Sequence, residues 1–319
     1  MRAMQLVSAS KLKRSQGRLM QSREVLGFLD ALLQRSLSAA KASSARTHSK
    51  KSFLTASHPL CRADENGPTL LVLFTSDTGL CGAYNTNLIQ MAEAYLRRAF
   101  DSAQHAVPSQ VEGRRDGRRP TQIIYIGKKG YRCFTKRGYA AVESYLDLAG
   151  RPNITKAEAI GKAIMERFLS GQVGSVQLLY AQYLSSMSSK PTVLQWLPIQ
   201  LEKDSQVEAQ GRRLEGKASG SALHPSPSTL QLRTEEYIFE PSPQAVFEDL
   251  LPRWVIAKFQ LVMLEAFTSE HSARMIAMKN ATDNAEELLK SLTRQRNKIR
   301  QASITKEISE IVGTAEALK

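Results

Sequence analysis

Ser76-Asp77-Thr78-Gly79-Leu80-Cys81-Gly82 is the segment whose residue types and spacing come nearest to chemistry. It follows the apolar run Thr69–Thr75 (TLLVLFT) and precedes a helical stretch from Asn85 to about Phe100. A glycine-containing turn between a strand and a helix can offer backbone N–H groups to a phosphate. The residues of a nucleotide site are missing, because neither GxxxxGK[ST] nor GxGxxG fits the chain. Gly79 and Gly82 then serve a tight strand-to-helix turn. Cys81 sits at a helix start, where thiol acidity rises. No His or Asn is placed to support it as a nucleophile, which favours a small buried hydrophobe. Asp77 reads as a cap or turn residue rather than a general base.

Other chemistries fail in the same way. Cys61, Cys81 and Cys133 form no CxxC pair, and five scattered His give no zinc ligand set. Three cysteines cannot build a full disulfide framework, which points to a reducing compartment. The run Arg294–Gln301 (RQRNKIRQ) could meet phosphates, but it lacks interleaved aromatics and reads as a solvated helix face. Catalytic, cofactor-binding and metal residues are therefore all expected to be none, and nucleic acid is not an expected partner.

The elements around these residues are more informative. The 319 residues carry 44 Lys and Arg against 30 Asp and Glu, a net charge of +14. Met1–Lys51 holds eleven of the basic residues against only Glu24 and Asp30, a net +9. Such an arm implies an acidic partner: nucleic acid, anionic lipid or an acidic protein surface. No signal peptide is evident at the start. The longest uncharged run, Phe168–Ser189, is broken by Gly171, Gly174 and several Gln and Ser, so any membrane association is expected to be peripheral.

Leu12, Leu19, Leu26 and Leu33 recur every seven residues, with Ser8, Ser15, Ser22 and Leu29 between them. That is a coiled-coil seam or the core stripe of an amphipathic helix. After Pro252 come 67 residues with no proline and one glycine, Gly313. As one helix they span about 100 Å and need a partner along much of that length. Leu264, Phe267, Met275, Met278, Leu288, Leu289 and Leu292 supply its apolar stripe, and Glu270/Arg274 and Glu286/Lys290 are favourable i,i+4 pairs. Between these helices, strands are expected at Thr69–Thr75, Ile123–Ile126, Val176–Tyr183 and Val193–Ile199. Helices at Lys128–Arg137 and Thr155–Leu169 alternate with them, the latter capped by Asn153 or Thr155. The alternation predicts an α/β domain with a largely parallel sheet.

The expected fold class is therefore α/β: a long antiparallel coiled coil of N- and C-terminal helices around a central Rossmann-like α/β domain. The expected division is an N-terminal shaft helix at 1–52 and an α/β domain at 69–200 with a flexible insertion at 101–120. A second flexible insertion at 202–234 precedes a strand or turn and the C-terminal shaft helix at 235–319.

Three stretches resemble the γ subunit of the rotary ATP synthase. They are AMQLVSASKLKRSQ (Ala3–Gln16), TSDTGLCGAYNTNL (Thr75–Leu88, against a family pattern SDRGLCGGLN), and a third in two parts. Its parts are YIFEPSPQAVFEDLLPRW (Tyr237–Trp254) and SEHSARMIAMKNATDNAEELLKSLTRQRNKIRQASITKEISEIVGTAEAL (Ser269–Leu318). The resemblance implies a central shaft within a ring of alternating α and β subunits. It places the α/β domain below that ring, near the ε subunit and the membrane-embedded c-subunit ring. Nucleotide chemistry then belongs to α and β, and the chain couples ion flow to their catalytic sites and regulates ATPase activity. The resemblance further implies a peripheral place on the cytoplasmic face of the inner (plasma) membrane.

Residue by residue, it implies subunit contact and coupling roles for Met4, Arg274, Gln301, Thr305 and Glu307. From the residues alone, the favoured readings are Met4 as packing and Arg274 as the helical partner of Glu270. Thr78 stands where the family usually has Arg, and Ala83-Tyr84 replaces Gly-Leu. The family also carries several helical turns before the Ala3-Met4 motif, which implies a start assigned short or a shaft base without those turns. Neither insertion contains Cys, so the thiol regulation of the chloroplast version is not expected.

Overall fold

In the computed structural model the described residues are 2–45, 58–62, 64, 67–104, 121–139, 141–146, 148, 153–199, 237 and 239–317. The expected insertion at 202–234, and 105–120 of the other, lie outside them. In chain order the elements are α1 (Arg2–Ala45), a 3-10 turn (Pro59–Cys61), β1 (Thr69–Phe74), α2 (Tyr84–Gln104), β2 (Gln122–Ile126) and α3 (Lys128–Lys136). There follow β3 (Ala141–Tyr145), α4 (Ile154–Leu169), β4 (Ser175–Ser185), β5 (Ser188–Leu197) and α5 (Pro243–Ala317).

The sheet order is β3-β2-β1-β4-β5. The first four strands are parallel and β5 returns antiparallel along β4. β1 is central and buried on both faces, as its unbroken apolar run requires. Leu70, Val72 and Phe74 face a core shared with α4, α5 and the second half of α1. Leu71 and Leu73 face α2 and α3. Asn153 caps α4, its Oδ1 accepting from the N–H groups of Thr155 and Lys156.

β3 has no counterpart among the expected strands. It is a short edge strand with Glu143 and Ser144 in its middle and Val142 exposed, so it lacks an apolar signature. β4 and β5 run further than expected toward a shared hairpin. Pro191 lies within β5, which an edge strand tolerates.

α1 and α5 form the antiparallel pair. Leu12, Leu19, Leu26 and Leu33 are all buried along the seam, with Ser8 and Ser15 buried between them. The buried hydroxyls of Ser15 and Ser36 donate to the carbonyls of Leu12 and Leu33, three residues back, so these two polar groups stay satisfied where the helices approach closely. Ser22 and Leu29 are half-buried.

α5 begins earlier than expected and runs through Pro252. Ser242 starts it: its hydroxyl accepts from Ala245 N–H and its carbonyl from Val246 N–H, with Pro243 at the first helical position. Pro252 removes one backbone bond, a cost of about 3 kcal/mol. Burial of Phe247, Leu251, Trp254 and Val255 on either side holds the helix together across it. Its 75 residues span about 110 Å. Residues 283–316 are exposed or half-exposed, with Leu289 67% and Ile299 71% exposed.

Candidate functional site

The β1–β4 boundary is where strand order reverses, the crevice in which open α/β sheets bind ligands. Here the chain fills that crevice itself. Ser269 Oγ of α5 donates to Ala181 O of β4 at 2.9 Å, and Tyr84 OH of α2 donates to Ala266 O of α5 at 3.0 Å. Ser272 Oγ reaches Ser186 O in the β4–β5 hairpin. Arg23 of α1 donates to both Tyr183 O and Glu265. Burial pushes the Tyr84 hydroxyl far above the usual tyrosine range, so it stays protonated and a donor.

The 76–82 turn is equally occupied. The first N–H groups of α3 would make a ready anion site, yet each already has an acceptor. Lys128 N–H donates to Asp77 Oδ1 at 3.0 Å, Lys129 N–H to Ser76 O at 3.1 Å, and Gly130 N–H to Thr75 Oγ1 at 3.0 Å. Asp77 is thus a cap, but of α3 rather than of the helix that follows it in sequence. Gly127 is required here: its φ is +107°, and a Cβ would stand 2.0 Å from Thr75 O. Cys81 is buried, with Ser76 Oγ 3.8 Å from its sulfur. Asn85 does reach it, against expectation, donating from Nδ2 at 3.1 Å, while Asn85 Oδ1 accepts from Ser76 N–H. The local bonds are those of a rigid turn.

Arg274 joins this turn to α5. Its Nε donates to Gly79 O at 3.2 Å, and its Nη2 to Thr78 Oγ1 at 2.9 Å, Thr78 O at 3.3 Å and Glu270 Oε1 at 2.7 Å. The pair is enclosed, with side chains 14% and 3% exposed. Burial raises the Glu270 carboxyl above its usual range, Arg274 and Lys11 pull it back, and Asp77 adds to the rise. The expected Glu270/Arg274 pair is thus present, whereas Glu286 pairs with Arg2 across the two helices.

Met4 and Arg274 come together. With Val7, Leu80 and Met278 they line an apolar groove of about 380 Å³ where the helix pair leaves the α/β domain. Leu80 is held at φ +63° with its side chain exposed. A second groove, about 960 Å³, runs between α1, α5 and the start of α4 and is lined by Lys11, Arg14 and Arg18 without a carboxylate. Gln301, Thr305 and Glu307 lie elsewhere, on the exposed far part of α5, Gln301 being about 40 Å along the helix from Arg274. Thr305 Oγ1 donates to Gln301 O, and Glu307 accepts from Ser303. Tyr84, Ser269 and Ser272, which weld α5 to the α/β domain through α2, β4 and the β4–β5 hairpin, carried no sequence signal; each is an ordinary polar residue until its partner segment is placed.

Among the described residues no cluster of His, Cys, Asp or Glu could hold a metal, and no helix is long and apolar enough to cross a membrane. What the fold defines is a stalk: two antiparallel helices welded to a filled α/β domain, one running on far past the other. The family described as ATP synthase matches residues 1–318. The chain is 35% identical over 320 residues to an ATP synthase gamma chain of Symbiobacterium thermophilum, covering 100% of this chain and 92% of that one. It is also 35% identical over 318 residues to an ATP synthase gamma chain of Chloroherpeton thalassium, with the same coverage. In fold it resembles a chain of the central stalk and c-ring of the Tetrahymena thermophila mitochondrial ATP synthase. That match has a TM-score of 0.54 at 20% identity and covers 88% of this chain and 98% of that one. The chain belongs to the ATP synthase gamma-chain family.

Proposed function

We propose that the chain is the central rotor of a rotary ATP synthase, a non-catalytic subunit that couples ion flow to ATP synthesis and hydrolysis and regulates ATPase activity. The observation that carries this reading is the single exposed run of α5 beyond residue 283, with apolar Leu288, Leu289, Leu292, Ile299, Ile304, Ile308, Ile311 and Val312 facing solvent. Such a surface is suited to cover by a neighbouring surface. A ring of α and β subunits around it supplies that cover. Rotation then shifts catalytic-site populations only if the shaft meets successive subunits with different binding free energy.

In this reading 1–52 and the helix that follows a strand or turn within 235–319 form the shaft, 69–200 the α/β domain, and 101–120 and 202–234 are insertions. Met4, with the basic groove beside it, meets the β subunits near the mouth of the ring; Gln301, Thr305 and Glu307 meet the ring further in. The α/β domain faces ε and the c ring, at the cytoplasmic face of the inner membrane. Affinity capture of the tagged chain from detergent-solubilised membranes, with mass spectrometry, tests the assembly. Co-purification of α, β and ε is expected; recovery of none, also after extending the N-terminus upstream, would overturn the reading.

A further inference from the structure

Arg274 faces inward. Its Nε and Nη2 donate to the 76–82 turn and to Glu270, and its Nη1 lies 3.4 Å from His271 Nδ1, all within its own chain. The turn it grips is stiff, because Ser76 Oγ donates to Thr78 O at 2.6 Å and Ser76 O and Asp77 Oδ1 are anchored on α3. A force on α5 at this height therefore passes through the guanidinium into β1, α2 and α3 together.

We infer that Arg274 is a latch that, beside the Ser269, Ser272, Tyr84 and Arg23 bonds, fixes the 76–82 turn to α5 so that this turn moves with the helix pair, with Thr78 the positioning residue that holds the guanidinium on the turn. Thr78 suits the task. Its hydroxyl and carbonyl both accept from Nη2, and that same nitrogen reaches Glu270 on the opposite side. Charge-assisted bonds of this kind are stronger than neutral ones and keep the planar group in one orientation. Any influence of Arg274 on coupling is then exerted through the turn, and reaches Met4 by way of Leu80, the next residue but one after Thr78 in the shared groove.

The functional half rests on the rotor reading; the mechanical half rests on the geometry alone. The experiment uses the assembled complex carrying Thr78→Val, which keeps shape and removes the side-chain acceptor, and Thr78→Ser, which restores it. Hydrogen exchange is followed in peptides covering 76–88 and 266–278, alongside the ratio of ATP-driven ion pumping to ATP hydrolysis. Thr78→Val is expected to speed exchange roughly fivefold in both peptides and to lower the ratio, with Thr78→Ser near wild type on both. Unchanged exchange overturns the latch. Faster exchange with an unchanged ratio also overturns the inference, because the latch then carries no torque. A wild-type complex that neither assembles nor couples counts against the rotor reading instead.

Discussion

Arg23 on α1 and Glu265 on α5 are joined at 2.7 Å, and the same guanidinium donates to Tyr183 O on β4 at 3.1 Å. One side chain thereby ties both helices of the pair to the sheet. The partners of the second ion pair, Arg2 and Glu286, each lie 21 residues further along their helices, three heptads in opposite directions. The antiparallel register is fixed at both points.

Arg23→Ala should therefore cost more than a surface pair. Glu265 is 7% exposed and would be left buried without its cation. Because Arg23 itself is about a third exposed, the expected loss is about 2 kcal/mol, below the range for fully enclosed pairs. Urea unfolding measures it, and Arg23→Ala combined with Glu265→Gln should recover part of the loss.

The raised Glu270 carboxyl makes stability depend on pH. The folded state holds this proton more tightly than the unfolded state. The contribution is fully present below the unfolded value, near 4.5, and is lost as pH rises through the higher folded value. Glu270→Gln cannot titrate, so the unfolding free energy of the variant relative to wild type should rise between pH 4 and the folded midpoint. Parallel denaturant titrations across that range check the sign; a falling difference would show that Arg274 outweighs burial.

Leu19 and Leu292 belong to the same apolar vocabulary but to different interfaces. Leu19 is wholly enclosed in the seam beside Leu264, whereas Leu292 is 55% exposed. Leu19→Ala should cost about 2–5 kcal/mol in the isolated chain. Leu292→Ala should change that stability by less than about 0.5 kcal/mol and instead weaken assembly with the α and β subunits. Thermal unfolding of the chain and reconstitution titrations separate the two effects.

That contrast also marks what was legible beforehand. The heptad leucines announced the helix pair because a seam repeats in sequence, and TLLVLFT announced a doubly buried strand. β3 was silent, since an edge strand with Glu143 at its centre has no apolar alternation to read. The start of α5 was hidden by Pro252, whose local preference is overridden by Trp254, Val255 and their neighbours in the core. The candidate site was least legible. Local spacing paired Arg274 with Glu270, but its grip on Thr78 and Gly79 joins residues 195 and 196 positions apart.

Gln301 and Thr305 give the sharpest test of the proposed ring contacts. Both are exposed, and the Thr305 hydroxyl is turned back to Gln301 O, four residues earlier on the same helix. Losing that bond costs the helix little, because alanine is the better helix former. Gln301→Ala with Thr305→Ala should therefore leave helix content and unfolding unchanged. If these side chains meet catalytic subunits, ATP turnover of the reconstituted complex should fall several-fold, each lost hydrogen bond being worth about 1 kcal/mol. Circular dichroism and steady-state ATPase assays on the same preparation supply both readings. Unchanged turnover would mean that shaft and ring communicate through the apolar stripe instead.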